Sequence, residues 1–453
     1  MHHPITLTAL AISLVALAAT QSLSATATVP PSSAVYRNLA KEIHSSLEHD
    51  ILSPWYPRAL SAAGGFHQDY RNDWSASSSE DRSIVYQSRL SWVAAETSMR
   101  FPSERVKYRP IALHGLEILE HGLWDKEHGG FYWSVAPSGG PQSFKAINDD
   151  KQAYGISFGI YACAGIYKAT HNPRALILAK RAYLWLDNHA HDAHNGGYVE
   201  ALNRDGSPIG ASERSGNDAI GTPYGCKSMN THIHLLESFT ALYGVWPDPL
   251  LRKRLKELLI IVRDKIATPE GYLNLEFRPD WTPTSHDDSY GHDIETAYLI
   301  SEAAEALGMP HDKATWAVSK RLVDHVLHYG LDRTHGGFYD HGPANGGASG
   351  QDKIWWTQAE ALNALLLMHE RYGKSTDTYW NAFMQQWKFI SQHQIDHQAR
   401  GWFSALSPDG TPQLSRNKSD AWTDPYHQGR AMMNVEYRLE QLAIAPQIKG
   451  ASR

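Results

Sequence analysis

Cysteine is almost missing from this chain. Its 453 residues include two, Cys163 and Cys226, too few for a disulfide framework and enough for one bridge at most. Neither sits where a lipid-attachment motif would need it. Beyond the first thirty residues no stretch is apolar enough to cross a bilayer. The net charge is only −6, which gives no reason to expect nucleic acid. H-E-x-x-H is absent and no cysteine pair replaces it, so no local zinc signature exists and no metal is expected. G-x-S-x-G is absent too, which removes the usual nucleophile elbow of a serine hydrolase.

The first thirty residues stand apart from the rest. Ile5 to Ala19 is an apolar run, and Ala25-Thr26-Ala27 offers an A-x-A cleavage site before Pro30-Pro31. This reads as a secretory signal peptide over residues 1–27, although its n-region carries His2 and His3 and no lysine or arginine. A secreted or periplasmic location is expected. Aromatic residues are plentiful, with 15 Trp and 22 Tyr, more than packing needs. Carbohydrate sites favour such rings because they stack on the apolar faces of sugars.

Six glycine-aromatic turns organise everything that follows. They are Gly64-Gly65-Phe66, Gly129-Gly130-Phe131, Gly196-Gly197-Tyr198, Gly271-Tyr272, Gly336-Gly337-Phe338 and Gly401-Trp402-Phe403, starting 65, 67, 75, 65 and 65 residues apart. Paired glycines suit a turn with positive φ, after which the ring packs inward. A unit of this size holds a helix, the turn, a short extended segment and a second helix. Before the turns lie amphipathic helices, such as Pro173 to His189 and Asp312 to His328; after them lie helices that are apolar nearly all round. The amphipathic set suits an outer ring and the apolar set a buried inner ring. Six helical hairpins with no open end predict an all-α protein, a single closed (α/α)6 barrel over residues 34–445. The inner helices are expected to begin near Tyr86, Gln152, Ser228, His292, Trp355 and Tyr426.

Polar residues gather at the N-terminal ends of the inner helices, so they converge on one mouth of the barrel. They include Arg89, Tyr154, Asn230, His232, His234, His292, Glu295, Trp356, Glu360, Trp422 and His427. Histidine suits proton transfer near neutral pH. His292 and Glu295 are three apart and share a helix face. His232 and His234 are two apart and diverge, so one of them faces the cavity; His234, four after Asn230, is the candidate. A lone histidine on an inner helix is commonly a hydrogen-bonded core residue, but three at equivalent ends of one ring argue for a site. Asp293 is expected to be structural. Of Trp355 and Trp356, the second shares a face with Glu360 and is expected to line the cavity.

The strings KSMNTHIHLLESFTALY, GHDIETAYLISEAAEALG, WWTQAEALNALL and YHQGRAMM resemble those of the N-acylglucosamine 2-epimerase superfamily, and within it the cellobiose 2-epimerases. The resemblance spans residues from about 35 to 440. It implies an (α/α)6 barrel that interconverts glucose and mannose at the reducing end of a β-1,4-linked disaccharide such as cellobiose or mannobiose, without metal, nucleotide or other cofactor. Carried over by motif, the essential arginine falls on Arg89 and the histidines on His234, His292 and His427. The supporting acids fall on Glu295 and Glu360, and the sugar-stacking tryptophans on Trp356 and Trp422; Tyr154 and Asn230 join them as candidate substrate contacts. The family commonly has Trp three residues after the Glu of its HDIE motif, where this chain has Tyr298, so stacking at one subsite is expected to be weaker or more polar.

Epimerisation at C2 needs the ring-opened aldehyde, loss of the C2 proton to give a cis-enediolate, and return of a proton to the other face. His292 and His427 can alternate as base and acid, or one of them can serve twice while C2–C3 rotates; Arg89 can stabilise the oxyanion, and His234 can assist ring opening or bind a hydroxyl. The rivals are an aldose–ketose isomerase on the same scaffold, a secreted glycoside hydrolase with Asp149-Asp150 as its nearest acids, and a non-catalytic sugar-binding protein. A mono- or disaccharide is the expected partner of a monomer or weak homodimer, with no membrane association after signal cleavage.

Overall fold

The computed structural model describes residues 31–450 apart from Pro141 and Asn345. The expected signal segment at 1–27 lies outside the described residues. Twelve long helices follow one another: α1 (Ser33–Ser46), α2 (Ile84–Arg100), α3 (Arg105–Ile118), α4 (Ala153–Thr170), α5 (Pro173–Ala190), α6 (Met229–Val245), α7 (Pro249–Ile261), α8 (Tyr290–Ala306), α9 (Lys313–Tyr329), α10 (Trp355–Tyr372), α11 (Thr378–Phe389) and α12 (Tyr426–Gly450). The even-numbered helices form the inner ring. Each packs on the next, and α12 returns to α2, so the ring closes and the expected barrel is observed.

Burial follows the apolar patterning. In α4 every residue from Ala153 to Ile166 is buried, whereas α5 buries one face, including Leu178, Ala182, Trp185 and Leu186. The expected inner starts lie within two residues of the observed ones. Pairing differs from the simple expectation. An inner helix packs chiefly on the outer helix that follows it through a short loop, and α1 packs on α12. The sixth hairpin is therefore built from the two ends of the barrel domain. Because short loops close one end of the barrel, all the long glycine-turn segments are left at the other, where the inner helices begin.

The glycine turns behave as expected, with φ of 71–76° at Gly129, Gly130, Gly196 and Gly197. At the fourth turn Leu273, not Tyr272, bridges back to Ala267 and is fully buried. Polar side chains on the inner helices clamp these turns. Gln87 accepts the N–H of Phe66, Gln358 that of Phe338, His232 that of Tyr198 and Asp293 that of Leu273. His232 and Asp293 are thus structural.

Directly ahead of five inner helices a dipeptide pairs with a neighbouring strand, at 82–83, 151–152, 227–228, 288–289 and 353–354; ahead of α12 the equivalent pair, 418–419, bridges Tyr70 through Ser419. The first member is a buried cation in five of the six: Arg82, Lys151, Lys227, Lys353 and Lys418. Each lysine meets an aspartate of the preceding turn, Lys151–Asp125 at 3.1 Å, Lys227–Asp192 at 2.7 Å, Lys353–Asp332 at 2.8 Å and Lys418–Asp396 at 2.7 Å. The aspartates also accept two backbone N–H groups each, as Asp192 does from His194 and Asn195. These extra bonds compensate the cost of burying both charges.

Candidate active site

Six inner helices present their N-terminal ends to one mouth, so their dipoles add a positive potential there that favours developing negative charge. Arg89, on α2, lies 3.1 Å from Asp424 through one nitrogen and donates to the Tyr154 hydroxyl at 3.1 Å through the other. Its plane rests near the rings of Phe158 and Tyr426, and its Nε is buried without a partner. Burial alone would lower the Arg89 pKa, but the neighbouring Tyr154 hydroxyl and Asp424 carboxylate outweigh it, so the guanidinium stays a cation.

The histidines sit around this cation. His234 packs against Tyr154 and Phe158 and bonds Glu237 Oε2 through Nδ1 at 3.0 Å. His292 and His427 both pack on Trp356, with ring centroids 4.7 and 5.5 Å away. Burial lowers His292 to about 4, against the charge of Glu295. Glu295 does not bond the ring, which is held by Ser289 Oγ at 2.8 Å from Nδ1. His427 Nδ1 lies 2.6 Å from Glu360 Oε1.

Beneath them lies a buried charge cluster. The Arg430 guanidinium donates to Glu237, Glu295 and Glu360. Tyr426 also donates to Glu237 at 2.5 Å. Burial works against the Glu237 charge, but Arg430 and the His234 bond bring it down to about 2. Burial, opposed by Arg430 and reinforced by Glu295, pushes Glu360 up to about 8. Burial and the nearby arginines hold His427 well below its ordinary value. Both shifts disfavour a charged Glu360–His427 pair. With His427 neutral, a protonated Glu360 donates to Nδ1 and leaves Nε2 as an N–H, whereas an ionised Glu360 accepts from Nδ1 and leaves Nε2 a lone pair.

Glu295, Glu360 and His427 have ligand atoms within 4.8 Å of one another, as a metal site would; Arg430 already supplies positive charge to both acids. The rim is aromatic. Trp422, 39% exposed, lies between Trp133 and Tyr154 with centroids about 6 Å away. Asn230 keeps its Oδ1 without a partner beside this mouth. Trp355 joins the core, leaving Trp356 at the site. Tyr298 is fully buried with Arg430 over its ring at 5.2 Å, so the face expected to stack on sugar is already covered. Asp150 is tied to Arg214, and Asp149 is exposed, so these acids form no hydrolytic pair.

Glu237, Asp424 and Ser289 escaped the sequence reading, and Arg430, within the YHQGRAMM string, was given no role there. Glu237 and Arg430 lie three residues after His234 and His427, one turn deeper than the helix ends that drew the search. That i,i+3 spacing was the available signal.

The sequence matches a known family model. The N-acylglucosamine 2-epimerase model matches residues 64–431. The chain belongs to this family. It is 31% identical over 399 residues to a cellobiose 2-epimerase of Bacteroides fragilis, covering 88% of this chain and 98% of that protein. The solved cellobiose 2-epimerase of Spirochaeta thermophila superposes with a TM-score of 0.79 at 27% identity, covering 90% of this chain and 98% of its own. A D-mannose isomerase of Marinomonas mediterranea is 23% identical over 393 residues, 82% of this chain and 91% of that protein. The chain is accordingly an enzyme of the epimerase and isomerase class.

Proposed function

We propose that the enzyme epimerises C2 of the reducing-end sugar of a β-1,4-linked disaccharide such as cellobiose or mannobiose, in the manner of the relatives named above. The observation that carries the reading is the convergence of neutral His292 and His427 on one tryptophan, with the Arg89 cation in the same buried cluster. One histidine removes the C2 proton of the open-chain aldose and becomes imidazolium as the enediolate beside it becomes an anion, so the new charges pair. The other returns a proton to the opposite face; for His427 the Nε2 proton leaves as Glu360 passes its own proton to Nδ1, so the ring stays neutral. Arg89 stabilises the enediolate oxygen. Trp356 and the Trp422 shelf hold the sugar rings, and His234, fixed by Glu237, assists ring opening. The N-terminal segment favours an exported enzyme.

The test is incubation with cellobiose in deuterated water, followed by NMR of the products. Glucosyl-mannose carrying deuterium at C2 is the expected result. A ketose product would assign the enzyme to aldose–ketose isomerisation, and released monosaccharides would assign it to hydrolysis. His292→Ala and His427→Ala should each lower turnover roughly 10²–10⁴-fold without loss of fold.

A further inference from the structure

The six strand-paired dipeptides break their own rule at one place. Where the other repeats put Arg82, Lys151, Lys227, Lys353 and Lys418, the fourth puts Asp288, equally buried. The turn position that supplies Asp125, Asp192, Asp332 and Asp396 elsewhere is Thr268, whose hydroxyl closes its own turn on Tyr272 O at 3.0 Å. The sign of the node is inverted. Asp288 is held from the outer ring, by His325 of α9, with Oδ2 2.7 Å from Nε2.

The second member varies among the repeats, and Gln152 and Ile354 make no side-chain cap. Ser83 and Ser228 each accept the backbone N–H three residues on, from Tyr86 and Thr231, and so cap their helices. Ser289 occupies the same offset but makes no cap. Its hydroxyl instead bonds the side chain three residues on, Nδ1 of His292. Among the six dipeptides this one alone reaches a mouth histidine. The repeat with the inverted node is also the one that bears His292.

We infer that His325, Asp288 and Ser289 form a positioning relay for His292, in which the outer-ring imidazole fixes the aspartate, the aspartate fixes the adjoining serine, and the serine sets the ring's orientation. The inversion has a physical reason in charge: a hydrogen-bonded Asp–His pair anchors the dipeptide without placing a buried ammonium four residues from the proton-transferring ring. Asp293, beside His292, clamps the Leu273 turn from the same helix end, and its carboxylate lies in the same buried cluster as Asp288 and His325. This inference rests on the epimerase reading only for the name of the reaction that His292 serves.

The test compares three lesions in the full-length enzyme. His325→Phe, the aromatic that α11 supplies as Phe389 against the Gly336-Gly337 turn, should lower kcat roughly 10–100-fold, as expected for misplacement of a reacting group, with KM within about threefold. His325→Gln, which can still donate to Asp288, should recover most of that loss. Ser289→Ala should match His325→Phe, and the double variant should be no slower than either alone. Asp125→Asn, an equivalent lesion at an ordinary lysine node, should lower Tm and spare kcat. Imidazole ¹⁵N shifts of His292 provide a readout independent of turnover: one tautomer in the native enzyme, a mixture in His325→Phe. Multiplicative losses in the double variant, or an unchanged His292 spectrum in His325→Phe, would overturn the relay. Failure of the native enzyme to epimerise any sugar would sink the proposed reaction while leaving the spectrum to decide the relay.

Discussion

Replacing Arg430 by methionine tests the buried charge cluster most directly. The guanidinium is 3% exposed and is shared by three carboxylates, Glu237, Glu295 and Glu360, each nearly or fully buried. Methionine fills much of the volume and removes the charge, leaving three buried carboxyl groups to repel one another. Removing one partner of a buried ion pair costs about 3–5 kcal/mol, so Arg430→Met should lose at least that much at pH 8. The sign of the pH dependence follows. Without the cation, Glu237 loses the partner that brings it down to about 2, and Glu360, already at about 8, moves further above the unfolded value of about 4.3. A raised acid holds its proton more tightly when folded, so the penalty is small at low pH and grows as pH rises toward the folded value. One extra proton taken up by the variant narrows its gap from the native enzyme by about 1.4 kcal/mol per pH unit, or about 3 kcal/mol between pH 8 and pH 6. The assay is chemical denaturation of both proteins at the two pH values. A gap below about 1 kcal/mol at pH 8, or one that stays constant with pH, would refute the view that Arg430 neutralises this cluster.

Arg89→Lys keeps the charge but cannot bond Asp424 and Tyr154 in the same planar arrangement. Turnover on cellobiose should fall by about 10²-fold or more with a smaller change in KM, the pattern of a lost transition-state contact. Near-normal turnover would make Arg89 a structural partner of Asp424. The pair with Asp424 also means that positive charge alone does not separate an epimerase from a hydrolase here, so the kinetic split and the products must do so. Gly197→Ala tests the turns: φ is +74°, and a Cβ would stand 2.5 Å from Trp281 and 2.6 Å from His232 Nε2. The left-handed conformation costs about 1–2 kcal/mol, and displacing His232 from the Tyr198 N–H adds about 1 kcal/mol. A loss of about 2–3 kcal/mol in denaturant unfolding is expected, and a neutral result would show that the turn relaxes freely.

The sequence by itself determined the units of this barrel. Glycine at positive φ, apolar helices with no polar face and polar residues gathered at their starts are local properties, so Gly129-Gly130, α4 and His234 were legible one segment at a time. Trp356 was separable from Trp355 by helical spacing alone. Ring closure decided the rest. It pairs α1 with α12, and it brings Arg89 to Asp424 across 335 residues and Arg430 to Glu237 across 193. No periodicity within a segment encodes such partners, because which charges meet on the axis depends on the radius and rotation of the whole inner ring. Tyr298 illustrates the limit: its helix face was predictable, but the arginine that covers it comes from α12. The inverted node at Asp288 was equally hidden, since a buried aspartate stands out only once the other five repeats are superposed in space and shown to place a cation there.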